Sequence, residues 1–292
     1  MRLTVAIAIG CLVALAAQGP ARAGLIATEN FESYTVGDLV ESGSGVGLSG
    51  GTGWTAAWNI ADAYRTNVTI QAGSLSYTSP SGAINVSGGS QAMRLANVNA
   101  TNSNFVMSSR NFESQADTLY YSFLIRQDAA SASDTTGDFI QIGPGTTWEA
   151  PTISVGVTAG PDFFARVGTP SGQQSLTGTA RPIQNTYLVV AKISKVAGAT
   201  NYNRTDLWVN PDSLTEPTVS TYYYNTSYNS GRSAFTTLLT RLAFLETSDV
   251  FYLDNYAVGT TYGSVVPEPA TLALLGLGAI ALVAGRKKRQ RI

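Results

Sequence analysis

Between Gly24 and Val266 no segment sustains the 3.6-residue apolar period of a helix. Short β-branched and aromatic runs alternate instead with clusters of Gly, Asn, Pro and Ser. That pattern restricts the chain to many short strands joined by turns. The stretch 118–126 is the clearest: Leu119, Tyr121, Phe123 and Ile125 share one face, and Tyr120, Ser122 and Leu124 share the other. Side chains alternate across a strand, so the wholly apolar set is expected to face the core. Strands are expected, in order, over 25–31, 54–60, 68–71, 83–86, 92–95, 104–108, 118–126, 139–142, 153–157, 163–167, 187–194, 205–209, 218–224, 238–246 and 250–258. Residues 159–162 have turn composition, and 197–204 should close a hairpin between 187–194 and 205–209. Asn210-Pro211-Asp212 should stop the second of these strands, because proline cannot donate to a ladder. About fourteen short strands fit two packed antiparallel sheets, an all-β jelly-roll-like sandwich. The glycine-rich stretch 42–53 reads as a loop, and there is no internal repeat.

The two ends differ from this middle. Arg2 precedes an apolar run over 3–17, and Ala21-Arg22-Ala23 supplies the small-x-small pattern of signal peptidase, so 1–23 is expected to be a signal peptide. Cys11 lies inside that run and follows Gly10. Lipidation there is disfavoured because Ala8 is a poor residue three positions before the Cys. Cys11 is the only cysteine, so a mature chain has no disulfide, thiolate nucleophile or Cys-ligated zinc. At the other end come Val266-Pro267-Glu268-Pro269, an apolar run over 270–285 and the basic cluster Arg286, Lys287, Lys288, Arg289 and Arg291. The run is at the short end of the roughly 20 apolar residues that span a bilayer. The basic cluster should stay cytoplasmic and place everything before Pro267 across the membrane.

Between the two ends lie about 240 residues, enough for one sandwich domain, expected over 24–262. Setting aside Arg2, Arg22, the five basic tail residues and Glu268 leaves eleven basic residues of the 18 against eighteen acidic of the 19. The mature part is therefore net negative. It has no basic patch for nucleic acid and suits a soluble secreted protein. The chain has no histidine, which excludes Ser-His-Asp triads, His general bases and His metal sites.

The order of Pro-Glu-Pro motif, apolar run and basic end closely resembles the PEP-CTERM sorting signal of Gram-negative bacteria. The resemblance implies an exosortase that recognises the motif and processes the tail, with signal peptidase acting at the other end. The expected location follows: export across the inner membrane, transient anchoring by a helix over 270–285, then the cell surface or extracellular matrix. A plain tail anchor is the simpler alternative.

Four segments resemble concanavalin A-like, laminin-G-like jelly-roll domains. They are Glu29-Asn30-Phe31-Glu32-Ser33-Tyr34 leading to Gly50-Gly51-Thr52-Gly53-Trp54 and Trp58, then 187–193 with Asp206-Leu207-Trp208-Val209-Asn210-Pro211-Asp212, then Thr215-Glu216-Pro217, and finally 251–260. The fold hosts lectins, hydrolases and structural modules alike. Its laminarinase-type branch carries Glu-x-Asp-x-Glu, whose carboxylates act as nucleophile and acid. No Glu-x-Asp pair exists in this chain, and Asp134 and Asp138 sit in a Ser/Thr/Gly loop without the spacing of a calcium loop. In some carbohydrate-binding modules of this shape a Glu near the first strand and an Asp on the last hold calcium. Glu32 and Asp254 are the matching positions for a structural, non-catalytic ion, with solvated carboxylates as the alternative. No cofactor is required.

Trp54, Trp58, Trp148 and Trp208 are candidate sugar platforms, with core packing as the competing role. Trp148, beside Gly143-Pro144-Gly145, is the best exposed candidate, and Trp208 is favoured for the core. Tyr222, Tyr223 and Tyr224, with Tyr228, form a polar-aromatic cluster that would line a glycan groove or edge a sheet. Arg65, Arg94, Arg126 and Arg166 are expected in surface pairs of small value. The function expected is that of a non-enzymatic surface or matrix protein that binds extracellular polysaccharide weakly. The alternatives are a glycan-active hydrolase or lyase and a purely structural module.

Overall fold

A computed structural model describes residues 23–266 apart from 44, 61–65, 97–104, 130–137, 146–151, 159, 161, 169–173, 179–180, 197, 226–229 and 244–249. Residues 1–22 of the expected signal peptide, the tail from Pro267 onward, Arg65, Asp134, Trp148 and Tyr228 lie outside the described residues.

The chain forms an all-β jelly-roll sandwich of two antiparallel sheets. One sheet runs in the order β15 (Thr221–Tyr224), β14 (Arg204–Val209), β13 (Thr186–Ser194), β8 (Leu119–Ala129), β17 (Val250–Gly259), β6 (Gln91–Ala96) and β3 (Val68–Ala72), with β1 (Leu25–Glu29) also paired to β17. The other runs β12 (Gln174–Leu176), β11 (Phe163–Val167), β10 (Ile153–Thr158), β9 (Asp138–Pro144), β16 (Phe235–Ala243), β7 (Phe105–Gln115) and β2 (Asn59–Ile60). A separate hairpin joins β4 (Ser76–Thr78) to β5 (Asn85–Ser87). The expected hairpin of β13 and β14 is present in the register Val190↔Trp208 and Lys192↔Asp206. The turn between β10 and β11 pairs Val155 with Ala165.

The main core lies between the sheets. Leu119, Tyr121, Phe123 and Ile125 of β8 all point into it, against Ile140, Ile142, Val155 and Ala165 of the opposite sheet. Each such aliphatic or aromatic side chain removed from water stabilises the fold by roughly 1.5–3 kcal/mol. The opposite face of β8 is also buried. Tyr120 and Leu124 join Leu188, Val190 and Trp208 in a second cluster, covered by Tyr77, Ile84 and Val86 of the β4–β5 hairpin and by Val265 and Val266. A strand face that mixes Tyr, Ser and Leu in sequence thus has a lid of its own.

The expected strand over 54–60 shortens to β2. The glycine-rich stretch before it packs on β1: Thr52 bridges Thr28, and the Trp54 indole Nε1 donates to the Thr28 carbonyl at 2.8 Å. Gly53 has φ +76°, and a Cβ there would lie 1.8 Å from the Ile26 carbonyl oxygen, so the approach requires glycine. At the other edge the strand expected over 218–224 starts at Thr221, because the Val219 carbonyl accepts the Trp208 Nε1–H at 3.0 Å.

Arg166 departs from its expected surface role. It is 3% exposed, on the face of β11 opposite Ala165 and Val167, and donates to Gln174 Oε1 at 3.1 Å. Desolvation, then the nearby Arg241 charge, lowers its pKa to about 10. Arg126 does make the expected partly exposed pair, with Asp128.

Candidate functional site

Three regions hold the residues singled out by sequence. The first is the junction with the tail. After β17 the chain makes one short helix, α1 (Tyr262–Val265). Thr261 caps it: its side chain accepts the Ser264 N–H at 3.2 Å, and Ser264 Oγ receives the Thr261 N–H at 3.3 Å. The Val266 N–H then donates to the Tyr262 carbonyl at 3.1 Å. Ser122 Oγ, on the outer face of β8, donates to the Val265 carbonyl at 2.6 Å. Val265 and Val266 are fully buried in the second cluster, and the Tyr262 ring meets Trp208 edge-on at 5.5 Å and Tyr120 at 6.5 Å. Residues 262–266 thus pack against the outer face of β8. Pro267, Glu268, Pro269 and the basic cluster 286–291 lie outside the described residues. Among the described residues no helix is long and apolar enough to cross a membrane.

The second region is the tyrosine strand β15. Tyr222 is 52% exposed, whereas Tyr223 and Tyr224 are half-buried, Tyr223 against the main core. Tyr222 sits opposite Asp206 in the register, and the Arg204 guanidinium lies 4.5 Å from its ring centroid. Asp206 holds Arg204 in a two-pronged pair at 2.8 and 2.6 Å, and Ser220 Oγ donates to the same carboxylate at 2.7 Å. Further along the face Glu216 accepts from Lys192 at 2.8 Å and from the Tyr120 hydroxyl at 2.6 Å. Burial, with the Glu216 carboxylate beside it, pushes the Tyr120 hydroxyl far above its ordinary range. Beside β15 opens a cleft of about 510 Å³, lined by Phe163, Tyr187, Trp208, Asn210, Asp212 and Ser220, among others. Trp208 supports this cleft from within, being 7% exposed.

The third region holds Glu32 and Asp254, which approach the turn between β5 and β6 from two segments. A Cβ on Gly88 would meet Asp254 Oδ2 at 1.7 Å, and one on Gly89 would meet the Glu32 carboxyl carbon at 2.5 Å. Glu32 Oε1 accepts the N–H groups of Ser90 at 2.6 Å and Gln91 at 2.9 Å, and its Oε2 accepts the Ser90 hydroxyl at 2.8 Å. Slight burial raises its pKa, but these donors outweigh that and leave it below the usual value. Asp254 is fully buried and accepts N–H groups from Leu75 at 3.1 Å and Asn255 at 2.7 Å. Burial raises it to about 7, and the charges of Glu32 and Glu29 push the same way. Calcium requires six or more oxygens. Here the Glu32 oxygens serve as turn caps, and no group of three or more acidic side chains among the described residues could hold a metal ion.

Sequence reasoning missed the most elaborate polar cluster. Glu29 accepts from the Phe31 N–H at 2.9 Å and the Tyr34 hydroxyl at 2.5 Å, and forms an ion pair with Arg110. Arg110 also donates to the carbonyls of Ala56 at 3.1 Å and Gly50 at 2.5 Å. Its guanidinium lies 5.2 Å from the Trp54 ring and 5.4 Å from the Trp58 ring. Trp58 is buried in the main core, and Trp54 is half-buried against it. The only hint in sequence was the pairing of Glu29 and Tyr34 with the Gly-rich segment before Trp54.

No curated protein matches this chain. Solved structures similar in shape include endo-β-1,4-glucuronan lyase from the fungus Trichoderma reesei, with 13% identity, 74% of this chain and 94% of that chain covered, and a TM-score of 0.44. An alginate lyase, Aly36B, in complex with alginate tetrasaccharide gives 9% identity, 80% and 96% coverage, and a TM-score of 0.45. The binding domain of Paraclostridial Mosquitocidal Protein 1 gives 11% identity, 86% of this chain and 51% of that chain, and a TM-score of 0.46. The tail matches a family model directly: residues 265–289 carry the PEP-CTERM protein-sorting motif.

Proposed function

We propose that this chain is an exported β-sandwich delivered to the cell surface or extracellular matrix by an exosortase-type system acting on its PEP-CTERM tail. The observation that carries the reading is the sorting motif over 265–289, whose first two residues, Val265 and Val266, are packed into the folded domain. Signal peptidase would free the other end before Gly24. The apolar run over 270–285 would hold the chain in the membrane until the tail is processed, with Arg286, Lys287, Lys288, Arg289 and Arg291 on the cytoplasmic side.

The folded domain is proposed to bind extracellular polysaccharide weakly rather than to cleave it. The exposed Tyr222 ring, backed by Arg204 and next in the chain to Thr221 of the cleft lining, supports this, because a sugar ring stacks on an aromatic face while nearby hydroxyl and carboxylate groups hydrogen-bond its edge. Glu216, Lys192 and Tyr120 satisfy one another, which suits a fixed surface better than proton transfer.

The sorting role is tested by replacing Pro267, Glu268 and Pro269 together with Ala in the full chain, in a host that has the sorting system. The expected result is an uncut protein that accumulates in the inner-membrane fraction. Normal arrival at the surface would refute the role.

A further inference from the structure

We infer that the fold divides the sorting motif: Val265 and Val266 serve the domain, and enzyme recognition and cutting fall on Pro267 and the residues after it. The inference rests on the sorting role proposed above and narrows it to a position.

The motif match begins at residue 265, yet its first two residues are core residues. Val266 is extended, with φ −102° and ψ 112°, the backbone shape a processing enzyme binds. Its groups are already committed, however. Its N–H is held by the Tyr262 carbonyl, the Val265 carbonyl is held by Ser122, and both side chains are fully buried beside Tyr120, Leu124 and Trp208. An enzyme that gripped Val266 would first have to withdraw both valines and unseat α1. Exposing two buried valines reduces the available population on the order of a hundredfold to ten-thousandfold. A cut at the Val266–Pro267 bond would need Val266 inside the active site, so the bond broken is a peptide C–N bond after Pro267 or a later residue. Water adds its hydroxyl to the acyl carbon, and its proton goes to the amine that leaves with the tail. The product keeps its second cluster closed.

The test is the C-terminal residue of the surface or released form of the full chain, read by intact mass and by sequencing its C-terminal peptide. A terminus at Pro267 or later, short of the whole tail, is expected. A terminus at Val266 or earlier overturns the inference while leaving the sorting role standing. A chain that reaches the surface whole, through Ile292, overturns both. Two single variants separate fold from recognition. Val266→Ala should lower Tm by about 4 °C and leave the cut where it is. Glu268→Gln should leave Tm unchanged and reduce cutting at least tenfold. A Val266→Ala variant that keeps its Tm but loses cutting contradicts the division.

Discussion

The carboxylate of Glu29 and the guanidinium of Arg110 form an ion pair with both side chains essentially sealed from water, the guanidinium lying beside the rings of Trp54 and Trp58. The pair joins β1 of one sheet to β7 of the other. Removing one partner of a buried pair costs about 3–5 kcal/mol, because the other charge is left uncompensated. Glu29→Gln is therefore expected to lower stability by about that amount in urea titration, and Glu29→Gln with Arg110→Met to recover a large part of it. A single variant within about 0.5 kcal/mol of the parent would contradict the role given to the pair.

Asp254 sets a pH dependence. Its carboxyl is raised from 3.8 to about 7, chiefly by burial. The folded state keeps a proton that the unfolded chain releases, so this contribution to stability is fully present below about pH 3.8 and is lost as pH rises through about 7. Every tenfold difference in proton affinity between the folded and unfolded chain corresponds to about 1.4 kcal/mol. Unfolding midpoints measured from pH 4 to pH 8 should fall for the parent chain and stay flatter for Asp254→Asn. Parallel curves for the two proteins contradict the assignment. Because both Glu32 oxygens are engaged by the Ser90 and Gln91 donors, millimolar calcium is expected to leave both curves in place.

Tyr222→Ala is expected to leave Tm unchanged, since half of the side chain faces solvent, and to weaken polysaccharide binding about tenfold on a glycan array. Stacking of this kind contributes on the order of 1 kcal/mol or more. Trp208→Ala, by contrast, should unfold the domain more easily by about 3–5 kcal/mol. Release of reducing ends from any bound polysaccharide by the parent protein would refute the non-enzymatic reading.

Gly53→Ala should destabilise the domain. The residue combines φ +76° with a Cβ position that would overlap the Ile26 carbonyl. The cost should exceed the roughly 1 kcal/mol typical of single substitutions and appear as a Tm shift of several degrees. A neutral substitution here would mean that Thr52 and Gly53 do not seat on β1 as described.

Much of the sandwich was legible in the sequence because alternation carries it. The odd residues of β8 read as a core face and are one. The Asn210-Pro211 stop is a local signal, and β14 ends just before it at Val209. What was not legible depends on distant partners. The outer face of β8 mixes Tyr120, Ser122 and Leu124, and only the hairpin of β4 and β5 and the end of α1 make it a second core. Strands as short as β4 and β12 bury too little to leave a pattern. Arg110 lies far along the chain from Glu29, and charge spacing could not pair them. At the site, the sorting motif was legible as a word, whereas the burial of its first residue was not.

The central claim is that the domain is cargo and that residues after Val266 carry its address. The most direct measurement compares surface, periplasmic and medium fractions for the full chain and for a chain ending at Val266, with Tm recorded for both. The account predicts equal Tm values and loss of the shortened protein from the surface, with recovery in the soluble fractions. Unchanged surface recovery of the shortened chain would contradict it.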